Sequence, residues 1–184
     1  MNKKNNSQLI NQDSGNFERY TQEFVIEAAR KTMGSIDLDP SSCIEANKIV
    51  NARHIFTEKD DGLEQPWYAN VWMNHPFSRQ GNPLWINKLI EEWKKDNVKQ
   101  ATCICFASTS EKWFLPLMRF PQCYLNPRTA YHDETGKLLG KGPKGSVVTY
   151  MGDNIEGFYE NFKAYGNVMI PLRDVDQKYG DKDV

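Results

Sequence analysis

No CxxC pair occurs in this sequence. Its four cysteines are Cys43, Cys103, Cys105 and Cys123, and none of its three histidines stands at finger spacing from them. A zinc site is not expected, and no metal is assigned. Four cysteines spread over 184 residues do not make a disulfide framework either. They read as reduced, mostly buried thiols of a cytoplasmic protein. No window approaches the roughly 20 apolar residues of a membrane span. The opening run MNKKNNSQLINQDSGN lacks the apolar stretch of a signal peptide. An excess of one charge is also missing: 23 Lys and Arg face 24 Asp and Glu, a net charge of −1. That excludes strong polyanion binding by the whole surface and leaves room for a local basic patch.

What is present is a globular composition, 39% apolar and 26% charged, in about one domain's length. Residues 1–16 read as a flexible polar arm and residues 174–184 as a charged tail, leaving a single domain over 17–173. TQEFVIEAARKTMG reads as a helix. Thr21 caps it, Phe24, Val25, Ala28, Ala29 and Met33 form its apolar stripe, and Gly34 stops it. SIDLDP is a short strand, and Ser42 with Glu45 makes a capping box for a second helix. A short strand near Ile55–Phe56 leads to a turn at Asp61–Gly62. NVWMN is a strand, and Asn82–Pro83 opens a helix to about Lys95. ATCICFA has the composition of a buried parallel strand. Ser108, Thr109 and Ser110 cap a short helix broken at Pro116. QCYLN is a strand, residues 127–145 a loop or loose hairpin, SVVTYM a strand, IEGFYENFKAY a helix and NVMIPL a last strand. Strands alternating with helices predict an α/β sandwich on a mostly parallel sheet.

Ligands of such sheets sit at the carboxyl ends of the strands. Three strand ends stand out. Asp37-Leu38-Asp39-Pro40 sets two carboxylates where a strand meets a helix start, suited to an ammonium or to ribose hydroxyls, or simply to capping the helix. Asp60-Asp61-Gly62 is, by itself, a surface turn. Asn74-His75-Pro76-Phe77 follows an apolar strand with an amide acceptor, a stiff proline and an aromatic ring. An amide oxygen can accept from an exocyclic amine, and a ring can stack on a flipped base.

The order of these pieces resembles the phage and prophage Dam-like DNA N-6-adenine methyltransferases. The carrying segments are YTQEFVIEAA, IDLDPSS with NKIV, EKDDGLEQPW, VWMNHPFSR with WINKLIEEW, CICFASTSEKWF, LNPR and GPKGSVVTYM, about residues 18–151. The resemblance implies a Rossmann-like fold, S-adenosylmethionine as methyl donor and double-stranded DNA as partner. It implies cofactor contacts at Tyr20, Thr21, Asp37 or Asp39, Pro40, Asp60 and Asp61. It implies that Asn74 and the backbone carbonyl of His75 accept the two N6 hydrogens of a flipped adenine, with Pro76 stiffening the segment and Phe77 stacking on the base. Protection of phage DNA inside a bacterial host is the role the family suggests.

Two positions depart from the family pattern. Gln22 replaces the proline of a Thr-Pro pair, which leaves the backbone less constrained. His75 replaces the first proline of Asn-Pro-Pro-Phe; its carbonyl survives, while the fixed φ of proline is lost. Pro76 still holds residue 75 extended, so activity is expected to be retained. A complete FxGxG loop is absent. Arg128, Lys137, Lys141 and Lys144 against Asp133 and Glu134 make a basic Gly-rich loop, and Arg79 lies just past Phe77. These five basic residues are the expected DNA contacts. The five tryptophans read as core, with Trp113–Phe114 a candidate border of the target pocket. A fold that binds cofactor or DNA without turnover is the alternative, as is methylation of another exocyclic amine, such as cytosine N4 or RNA adenine. Recognition sequence and oligomeric state are not legible.

Overall fold

The computed structural model of the chain describes residues 20–133, 137–141 and 144–172, with the backbone alone at Lys141. The expected arm and tail, and Glu134 of the basic loop, lie outside the described residues. The chain begins with β1 (Tyr20–Thr21), α1 (Glu23–Met33), β2 (Leu38–Asp39), α2 (Ile44–Val50) and β3 (His54–Ile55). It continues through β4 (Ala69–Met73), α3 (Gly81–Lys94), β5 (Val98–Phe106) and a short 3-10 helix at Leu115–Arg119. Then come β6 (Gln122–Leu125), β7 (Ala130–His132), β8 (Leu138–Lys141), β9 (Ser146–Met151), α4 (Ile155–Phe162) and β10 (Gly166–Met169).

Seven strands form the central sheet in the order β10-β6-β9-β5-β4-β2-β3. β3, β2, β4 and β5 are mutually parallel. β9, β6 and β10 run antiparallel to their neighbours. The mostly parallel sheet expected from the sequence is therefore parallel in one half only. β9 inserts between β5 and β6 and runs antiparallel to both, after the chain has already passed through β6, β7 and β8. ATCICFA reads as doubly buried either way, because β5 is central and Ala101, Cys103, Ile104 and Cys105 are all fully buried.

Strand alternation divides the core. Ile104 faces one cluster with Val25, Ile26 and Ala29 of α1 and Phe158 and Phe162 of α4. Cys103 and Cys105 face the other, with Ile86 and Leu89 of α3 and with Phe114. A separate three-stranded sheet, β1-β7-β8, pairs Thr21 with Tyr131 and Tyr20 with His132.

Several local expectations need correction. Thr21 belongs to β1, and Gln22 takes the N-cap position of α1. Phe24 is partly exposed against Tyr165, and Ile26 takes the buried place assigned to it. The cap of α2 is Cys43, whose Sγ accepts from the Ala46 amide at 3.3 Å, and not the Ser42–Glu45 box. Pro116 sits in the first turn of the 3-10 helix, where it has no amide to lose, and breaks nothing. The loose hairpin of 127–145 is real, as β7 and β8.

Candidate active site

The carboxyl edge of the parallel half collects the candidate residues. Leu38 pairs with Val71 and Met73 with Cys103, so β2 and β4 end side by side. β5 runs on to Phe106, which pairs with Ser146 of β9. The segment Asn74–Phe77 leaves β4 into the space between these ends.

Asp39 and Asp37 lie at opposite ends of β2. Asp37 sits at the amino end, bonded to Arg53 at 3.0 Å, Ser35 at 3.2 Å and the Asn70 amide at 3.2 Å. It is a structural acid that ties α1, β2 and β4. Asp39 sits at the carboxyl end, 2% exposed, with the Ser41 amide 3.3 Å away. Burial pushes its carboxyl up to about 7, opposed by the Ser42 hydroxyl and the Ser41 amide. Among the described residues no cation pairs with it. Of the two acids, only Asp39 stands at the carboxyl edge of the sheet.

The loop at Asp60–Gly62 is docked against Pro40. A Cβ on Gly62 would lie 1.8 Å from the Pro40 carbonyl oxygen, so only glycine allows the approach. Trp67 Nε1 donates to the Gly62 carbonyl at 2.7 Å and holds the loop there. Asp60 is exposed and accepts from the Thr57 amide and hydroxyl at 2.8 and 2.7 Å; the Thr57 hydroxyl chiefly holds its pKa below the ordinary value. Asp61 accepts from the Leu63 amide at 3.2 Å. Both side chains are engaged within their own turn, and it is Gly62 that meets Pro40.

On the other side, Thr21 is 3% exposed and its Oγ1 has no hydrogen-bond partner among the described residues. Tyr20 reaches Cys43 through its hydroxyl at 3.1 Å and so spans from β1 to the α2 cap. Gln22 has φ −64°, the value a proline would impose, and its Oε1 accepts from Thr129 at 3.1 Å. Gln22 thus takes the φ of a proline without its ring, and its side chain is tied to Thr129.

Asn74 and Pro76 are half-buried, and so is Phe77. The Phe77 ring lies 4.7 Å from Phe106 and 5.8 Å, edge-on, from Tyr131. Tyr131 in turn bonds the Ser146 hydroxyl at 2.6 Å. Sequence reasoning missed Phe106, Tyr131 and Ser146, which come together only through pairing. The one available signal was position, Phe106 being the last residue of an apolar strand. His75 is 1% exposed, with Nε2 2.9 Å from Asn82 Oδ1. Burial lowers its pKa to about 4, opposed by the Asn82 bond, so the ring is neutral at physiological pH.

Arg79, Arg128, Lys137 and Lys144 are exposed, the last three along the β7–β8 hairpin that Tyr131 roots beside Phe77. Lys141 pairs with Ala130 through the backbone of β8. The Lys137 amide donates to Asp133 at 3.0 Å, so one acid of the hairpin serves its own turn. Trp67 and Trp72 are core as expected, and Phe114 is fully buried. Among the described residues no cluster of His, Cys, Asp and Glu could hold a metal ion, and no helix is long and apolar enough to cross a membrane.

No curated protein matches the chain. A family model described as DNA N-6-adenine-methyltransferase (Dam) matches residues 12–158, most of its length, and the chain belongs to that family.

Proposed function

We propose that this protein transfers a methyl group from S-adenosylmethionine to N6 of an adenine turned out of double-stranded DNA. The reading rests on one observation above all. Asn74–Phe77 leaves β4 beside the end of β2, where a buried carboxylate has no cation among the described residues. Within a family of DNA adenine methyltransferases, that pairing of an amine-accepting segment with an acid that no described cation neutralises supports a cofactor and a base meeting at one edge.

The residues present fit the cofactor. Among the described residues Asp39 is a buried acid lacking a cation, and Thr21 Oγ1 a buried hydroxyl lacking a hydrogen-bond partner. Asp39, Thr21 and Tyr20 would hold it, with Pro40 and the Gly62 turn as the wall. When bound, S-adenosylmethionine supplies an electrophilic methyl on a sulfonium. A Rossmann-like methyltransferase domain over residues 17–173 is the fold this reading implies.

The chain's own groups prepare the amine. Adenine N6 is a poor nucleophile because its lone pair is delocalised into the ring. Asn74 Oδ1 and the His75 carbonyl accept its two hydrogens and favour a more tetrahedral nitrogen with a freer lone pair. Phe77, wedged between Phe106 and Tyr131, offers a fixed face for the extruded base. The neutral His75 ring adds no positive charge beside a nitrogen that is itself becoming positive. Arg79, Arg128, Lys137, Lys141 and Lys144 supply phosphate contacts, with the β7–β8 hairpin reading the target. The enzyme would act in a bacterial cytoplasm on behalf of a phage or prophage.

The test is transfer of labelled methyl from S-adenosylmethionine to unmodified DNA, followed by nucleoside analysis. Label should appear on N6 of adenine and fall at least about 100-fold in Asn74→Ala, while calorimetry still detects cofactor binding. Label on cytosine or on RNA would overturn the substrate assignment. No label with intact cofactor binding would favour a fold that binds without turnover.

A further inference from the structure

His75 points inward, and what it meets there belongs to α3. Its Nε2 lies 2.9 Å from Oδ1 of Asn82, in the first turn of that helix. Because Oδ1 can only accept, Nε2 carries the proton and Nδ1 is left as a buried acceptor without a partner among the described residues. Packing alone does not account for a histidine here, since an apolar ring would leave no nitrogen unpaired. The helix that supplies Asn82 is itself rigid, with Ile86 and Leu89 fully buried.

The segment between the two residues is closed on itself. The Ser78 amide donates to the Pro76 carbonyl at 2.8 Å, and the Asn82 amide to the Ser78 carbonyl at 3.0 Å. The Gly81 amide donates to Ser78 Oγ at 2.8 Å. Pro76 restrains ψ of residue 75, which leaves its φ as the loose torsion. A side chain held at its far end fixes that torsion through the Cα, as the ring of a proline does covalently.

We propose that the His75–Asn82 hydrogen bond is a clamp. It sets the backbone of residue 75, and so aims its carbonyl and seats Phe77, in place of a proline ring. Asn82 is thereby a positioning residue for methyl transfer. The inference rests on the adenine methyltransferase reading.

The experiment is steady-state methylation of DNA by the full chain in five forms: wild type, Asn82→Ala, Asn82→Asp, His75→Pro and the double variant His75→Pro with Asn82→Ala. In the wild-type background Asn82→Ala should lower kcat at least about tenfold and leave KM for DNA within about twofold. Asn82→Asp, which keeps an acceptor for Nε2, should restore most of that loss. In the His75→Pro background the effect of Asn82→Ala on kcat should shrink below about twofold, because the proline has already fixed the torsion. Melting of all five forms separates this pattern from a stability effect, which would persist in both backgrounds. No loss in Asn82→Ala, or an equal loss in both backgrounds, overturns the clamp and leaves the methyltransferase reading standing. Should the wild type methylate nothing, that reading fails and NMR decides the clamp. The His75 ring should carry its proton on Nε2, and Asn82→Ala should speed hydrogen exchange at the Ser78 amide. The opposite tautomer, or unchanged exchange, overturns it.

Discussion

Asp39→Asn should make the free protein more stable at high pH and less able to bind its cofactor. Asp39 lies at the end of β2, 2% exposed, and burial raises its carboxyl from 3.8 to about 7. An acid whose pKa rises on folding stabilises the fold below its unfolded pKa, and that contribution is lost as pH climbs through the folded value. A rise from 3.8 to about 7 corresponds to at most about 4 kcal/mol over the full titration. Asparagine has nearly the same shape and cannot ionise, so the variant lacks this dependence. Urea unfolding of both forms measures the difference. From about pH 5 to about pH 8, the stability of the variant relative to wild type should grow by about 3 kcal/mol. Calorimetry at about pH 7.5 should show cofactor affinity reduced at least about tenfold in the variant, because a buried cation would lose its counter-charge. A stability difference that stays flat with pH would refute a protonated Asp39, and with it the picture of an acid kept unpaired for a cation.

Gly62→Ala should destabilise the protein by more than about 2 kcal/mol in the same assay and weaken cofactor binding. Its new methyl would lie 1.8 Å from the Pro40 carbonyl oxygen and force the two loops apart. Gln22→Pro should change stability by less than about 1 kcal/mol. The observed φ of −64° already suits proline, and the loss of the Thr129 bond opposes the entropic gain; a drop of several kcal/mol by urea unfolding would contradict this. Arg79→Ala with Lys144→Ala should flatten the slope of log affinity against log salt by about two, as measured by fluorescence anisotropy on duplex DNA. An unchanged slope would remove both residues from the interface.

Local patterns carried α1, β4, α3, β9 and α4 close to their observed limits, the helices by the period of their apolar faces and the two strands as short, β-rich apolar runs. What local patterns cannot carry is partnership. Thr21 looks like a helix cap and is a strand residue, since β7, more than 100 positions away, pairs with it. Asp37 and Asp39 look equivalent, yet adjacent odd positions on so short a strand fall at opposite edges of the sheet. The antiparallel half was hidden because a doubly buried strand shows the same unbroken apolar run whichever way its neighbours point. Asn74–Phe77 was legible as chemistry. Its surroundings, Phe106, Tyr131 and Asn82, depend on contacts that no local spacing encodes.

Phe77 packs against both hydrophobic clusters of the molecule as well as standing at the proposed site. It is a keystone as much as a tool. A ring gripped from both sides has little freedom to surrender when a base arrives, so stacking on it incurs almost no entropic penalty on the protein side. The same grip means that activity and foldedness share this position. Any residue that replaces the ring must serve two masters, and evolution can drift here only among side chains that fill the same volume.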